Sequence, residues 1–157
     1  MRTDDRIVSD LGIETRKEIL RFSLIIEAFA SGLLATLLKI NDSDTSLSFG
    51  NKSYSISFNQ KINLLIDLEV INKESKKILT TFAEIRNQFM HNIYAMNYEK
   101  CFSYLEGKEK WLLSKYPDNE IGTKELMLKN ATLNLAQDAV KIVSGMGISI
   151  EKLTHKK

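Results

Sequence analysis

Between Phe22 and Leu38 the chain is apolar almost without a break. Ile19, Phe22, Ile26, Phe29, Leu33 and Leu37 recur three or four residues apart, which predicts one long helix from about 14 to 40. A helix this apolar must bury more than one face, against its own chain or against a second subunit. The run is short for a membrane span and carries Glu27 with several small polar residues. A buried central helix, with no membrane partner, is therefore expected.

The 157 residues suit one domain, 1–157, with the ends 1–12 and 150–157 expected to be mobile. Hydrophobic residues at 43% and charged residues at 27% are the balance of a globular chain. A formal net charge of +2 is too small for a general nucleic-acid binder, so any RNA contact has to come from a local patch. The lone Cys101 makes no internal disulfide, and two histidines with one cysteine do not supply a usual zinc site. No Gly-rich phosphate loop is present, and no cofactor is expected. The start, Met1-Arg2-Thr3-Asp4-Asp5, lacks the apolar run of a signal peptide, which makes a cytoplasmic location the expectation.

The remaining periodicity is helical. Asn41 to Asp44 reads as a stop rich in turn formers, and the alternation around Gly50-Asn51 predicts a small β-hairpin, or an extended loop, over about 46–58. Asn59 is the expected cap of a helix to about Leu68 or Glu69. Asn72 or Ser75 opens the next, which ends near Asn92 with Ile78, Phe82, Ile85 and Phe89 as its apolar stripe. A further helix is expected from Asn97 to Lys115, stopped at Pro117. Thr123 caps a long last helix with Leu126, Leu133, Ala136, Val140 and Val143 inward, weakened near Gly145 and Gly147. Four or five main helices in an antiparallel bundle is the simplest all-α architecture.

Within that frame, Arg86-Asn87-Gln88-Phe89-Met90-His91 concentrates the chemistry. At about 100° per residue, Glu84, Asn87 and His91 line the face opposite the stripe, and Arg86 sits between the two faces. The protomer's own core thus requires neither His91 nor Arg86. A cation for phosphate, a group titrating near neutrality and a polar residue to orient them meet the needs of RNA cleavage without metal. The same residues also fit a solvated histidine at a helix C-terminus, favoured by the dipole, beside an arginine paired with Glu84 or another acid.

Arg86-Asn87-x-x-x-His91 resembles the signature of the HEPN superfamily. The stretches Ser57-Phe58-Asn59-Gln60-Lys61-Ile62, Leu68-Glu69-Val70-Ile71 and Ile85 to Asn92 are similar to the mannitol operon repressor branch. The resemblance covers about residues 15–100. It implies a HEPN-like helical domain and, for the nuclease members, a metal-independent endoribonuclease with a composite site at a homodimer interface, often a toxin or antiphage effector. The repressor branch implies instead a non-catalytic regulatory or protein-binding module. Toxins paired with a nucleotidyltransferase antitoxin often carry tyrosine two residues after the histidine. Ile93 stands there, with Tyr94 next to it, so that pairing is not supported. A cognate antitoxin or regulatory protein of another kind remains an implied partner.

On the nuclease reading the resemblance implies attack by a ribose 2′-hydroxyl, giving a 2′,3′-cyclic phosphate and a 5′-hydroxyl. His91 moves protons, Arg86 binds the phosphate, and Asn87 holds the imidazole or the substrate. Glu84 either orients His91 or repels RNA, and Tyr94 is a supporting residue. Tyr94, Tyr98, Phe102 and Tyr104 are able to stack bases or, at helical spacing, belong to the core. Lys73, Lys76, Lys77, Lys100, Lys108 and Lys110, interspersed with acids, read as solvated surface.

Overall fold

The computed structural model describes residues 12–50, 52–118 and 122–154. The chain is all-α, as expected. Its described helices are α1 (Ile13–Leu37), α2 (Phe58–Asp67), α3 (Lys73–His91), α4 (Tyr98–Ser103), α5 (Lys108–Lys115) and α6 (Lys124–Thr154). The chain divides into two compact units. Of the described residues, one comprises those of 1–22 with those of Thr81–Gln137, and the other those of Ser23–Thr80 with those from Asp138 to Thr154. Of the ends expected to be mobile, residues 1–11 and 155–157 lie outside the described residues, whereas 150–154 continue α6.

In the first unit the stripe of α3 is buried as its spacing predicts. Phe82, Ile85 and Phe89 are fully enclosed, together with Tyr98, Leu112 and Leu128. Phe89 meets the edge of Tyr98 with ring centroids 5.3 Å apart at 73°, a favoured aromatic geometry. The expected helix from Asn97 to Lys115 is two helices. Asn97 caps α4 by accepting from the Lys100 N–H at 2.8 Å, and Gly107, at φ 71°, turns the chain before α5. An α-helix cannot run through that left-handed residue. Glu125 of α6 strengthens the start of α4, accepting from the Tyr98 and Glu99 N–H groups at 2.8 Å each.

Helix α6 begins as predicted, with the Thr123 hydroxyl accepting from the Leu126 N–H. Its inward register differs from the expected one. Leu128, Leu135 and Ala139 are buried alongside Ala136 and Val143, while Leu126 is 41% exposed. Apolar residues outnumber the positions one face can hold, so periodicity alone chose the wrong members. The backbone stays helical through Gly145.

In the second unit, α1 buries Ile26, Ala30, Leu33 and Leu34, but Phe29, expected inside, is 46% exposed. The helix stops at Leu37, earlier than expected, with Lys39 at φ 57° and the Ile40 N–H reaching back to the Ala35 carbonyl. By length and composition α1 is apolar enough to cross a membrane, with mean hydropathy 1.6 over 18 residues, yet 44% of that window is buried.

Turns replace the hairpin expected over 46–58. No strand forms among the described residues. The Ile56 N–H donates to the Ser48 carbonyl, but Ser46 takes the Gly50 N–H and Lys52 the Ser55 N–H, so local turns use the groups a ladder would need. The cap of α2 is Ser57 rather than Asn59. Its hydroxyl accepts from the Gln60 N–H, and the Gln60 side chain accepts from the Ser57 N–H, a reciprocal capping box. Behind it Lys61, 5% exposed, forms a 2.7 Å ion pair with Glu27.

Candidate functional site

Helix α3 presents the motif, and its two ends explain how. Asn72 accepts from the Ser75 N–H at 2.8 Å and opens the helix. The buried stripe then fixes the roll of the helix about its axis, leaving Glu84, Arg86 and Asn87 half-buried and His91 exposed. At the far end the last carbonyls have no partner within the helix. Arg16, in the first turn of α1, supplies one. Its guanidinium donates to the carbonyls of Phe89, Asn92 (3.1 Å), Ile93 (3.2 Å) and Ala95 (3.2 Å). A cation at this end also complements the helix dipole.

Asn92 stiffens the same turn. Its side-chain amide donates to Gln88 Oε1 at 3.0 Å and its oxygen accepts from the Tyr94 N–H at 3.0 Å. Gly12 locks the approach of α1. At φ +65° it lies so close to Met96 that a Cβ there would meet the Met96 carbonyl oxygen at 1.9 Å. The segment from Phe89 to Met96 is therefore clamped by Arg16 and Gly12, neither of which carries a local motif. Only their tertiary placement, more than 70 residues away in sequence, reveals them.

The polar side chains divide into local partnerships. Arg86 donates to Asn87 Oδ1 at 3.1 Å, so the amide orients the guanidinium rather than the imidazole. Glu84 is engaged by Lys108 of α5 at 2.9 Å, which balances its charge. The His91 imidazole makes no hydrogen bond or ion pair with any described residue. Five residues of α-helix separate Arg86 from His91, about 140° around the axis. Of the aromatic candidates, Tyr98 and Phe102 are core and Tyr94 and Tyr104 are exposed. His155 lies outside the described residues.

Elsewhere in the same unit, Glu14, Thr15, Lys17, Glu18, Arg21 and Lys129 line an open depression of about 430 Å³. No motif residue lines it, and its lysines face acids, Lys17 with Glu14 at 2.7 Å and Lys129 with Glu18 at 3.9 Å. Among the described residues no three His, Cys, Asp or Glu side chains cluster as a metal site would need. The Cys101 thiol is buried, and desolvation pushes its pKa up to about 12, which removes it as a nucleophile. Comparisons with protein-family models, with curated proteins and with solved structures return no match.

Proposed function

We propose that the chain is a metal-independent endoribonuclease of the HEPN type, a cytoplasmic homodimer that acts as a toxin or antiphage effector. The observation that carries this reading is His91. Its imidazole stands exposed, with no hydrogen bond or ion pair among the described residues, at the end of a helix whose C-terminus is rigidly held. A general base needs both properties, a free ring nitrogen and a fixed position.

In the reaction, a 2′-oxygen attacks the adjacent phosphorus while His91 of one protomer accepts the 2′-hydroxyl proton. The bond from phosphorus to the 5′-oxygen breaks, and the second protomer's histidine protonates the departing oxygen. Arg86, oriented by Asn87, stabilises the charge on the non-bridging oxygens. Two copies are required because one histidine does not serve easily as base and acid together.

One observation favours a second reading, a non-catalytic regulatory or protein-binding module of the mannitol operon repressor type. Arg86 is half-buried and already hydrogen-bonded to Asn87. A guanidinium so placed also serves as a fixed structural group. Total RNA from cells induced to express wild type or His91→Ala separates the two. Degradation by wild type alone supports the nuclease, whereas intact RNA in both cultures, with a stable protein partner recovered, supports the module.

A further inference from the structure

The turn after α3 holds apolar side chains in water where the core makes no use of them. Ile93 is 59% exposed and Tyr94 69%, whereas Phe89, Ala95 and Tyr98 around them are sealed. Mobility does not account for this exposure, because the backbone beneath is tied down. Arg16 binds the carbonyls of Asn92, Ile93 and Ala95, and Asn92 accepts from the Tyr94 N–H. An aromatic residue is thus held outward on a fixed backbone, three residues from His91, with the two Cα atoms within about 11 Å of each other by chain length alone.

We propose that Tyr94 is the base-stacking residue of the site, taking an unpaired base of single-stranded RNA beside the phosphate that His91 serves. This rests on the ribonuclease reading. The phenol ring offers a flat face that every base can cover, and Ile93 flanks it with an apolar edge. Pre-ordering of the turn lowers the entropy cost of binding. A base inside an A-form duplex keeps its faces covered by its neighbours, so the ring selects loops and single strands. The other aromatic candidates do not compete for this role: Tyr98 and Phe102 are buried, and Tyr104 lies beyond α4.

The test uses the full chain carrying His91→Ala, so that RNA is bound without being cut. Fluorescence anisotropy follows a labelled single-stranded oligoribonucleotide and its duplex. Adding Tyr94→Ala is expected to weaken single-strand binding about tenfold, while Tyr94→Phe and Tyr94→Trp stay within about twofold. The duplex is expected to bind more weakly and to ignore all three changes. Helical circular dichroism confirms folding, which an exposed side chain leaves intact.

Single-strand binding unmoved by Tyr94→Ala overturns the inference and leaves the exposed turn to a protein partner. A loss in Tyr94→Phe equal to that in Tyr94→Ala also overturns it, since a hydroxyl contact is then the cause. Cleavage by the otherwise wild-type protein is scored separately. RNA cutting with no Tyr94 effect sinks stacking alone. A Tyr94 effect on binding without any cutting sinks the nuclease alone.

Discussion

Arg16 donates through its guanidinium to the main-chain carbonyl of Phe89, 73 residues away in sequence, and so joins the first turn of α1 to the last turn of the motif helix. Three further carbonyls share the same cation. Removal of the side chain leaves part-buried carbonyls without their donor. Arg16→Ala is expected to cost about 2–4 kcal/mol in urea or guanidinium unfolding, because several charge-assisted hydrogen bonds go at once. Arg16→Lys should recover less than half, since an ammonium cannot span four acceptors in a fork.

Gly12 makes a second, independent prediction about the same junction. Both its φ of +65° and the 1.9 Å approach of a Cβ to the Met96 oxygen oppose any side chain. Gly12→Ala should destabilise by about 1–3 kcal/mol. Hydrogen exchange should show the loss first in the amides of 92–97.

The buried pair of the second unit should respond unequally to deletion of its two members. Lys61 is 5% exposed and Glu27 29%, so the ammonium depends on its partner more than the carboxylate does. Glu27→Ala is expected to cost about 3–5 kcal/mol, and Lys61→Ala less, because water reaches the remaining acid. Glu27→Leu combined with Lys61→Met should return to within about 1 kcal/mol of wild type in a double-mutant cycle.

Alkaline stability follows from two groups in the first unit. Burial raises the Cys101 thiol from its ordinary 9.0 to about 12, and burial, with Glu18 and Glu125 nearby, raises the Tyr98 phenol above its ordinary 10.0. Both are acids that stay protonated longer in the folded chain. Below about pH 9 these two groups keep their protons in both the folded and the unfolded chain. Above it the unfolded chain releases protons that the folded chain keeps, so stability falls as pH rises from 9 toward 12. Urea midpoints between pH 8 and 11 should drop, and Cys101→Ala should flatten the first part of that drop. Ellman's reagent at pH 8 should leave native Cys101 unmodified.

Periodicity made some parts of this fold legible and hid others. Ile78, Phe82, Ile85 and Phe89 were readable because a single apolar stripe on a polar helix has only one way to face inward. In α1 and α6, apolar residues exceed what one face can bury, which is why Phe29 and Leu126 lie outside. Gly107 turns the chain into α5 through its φ, a property its neighbours do not announce. The motif residues were visible as types, and the exposure of His91 followed from the stripe. The clamp by Arg16 and Gly12, the pairing of Glu84 with Lys108 and the use of Asn87 by Arg86 depend on tertiary placement or rotamer choice.

The most direct test of the proposed chemistry is cleavage of a defined single-stranded RNA by purified protein in EDTA, with analysis of the product ends. The proposed ribonuclease yields 2′,3′-cyclic phosphate and 5′-hydroxyl ends, and His91→Ala reduces the rate at least about 100-fold while keeping the wild-type unfolding midpoint. Uncut RNA at high protein concentration, or equal cutting by His91→Ala, contradicts it.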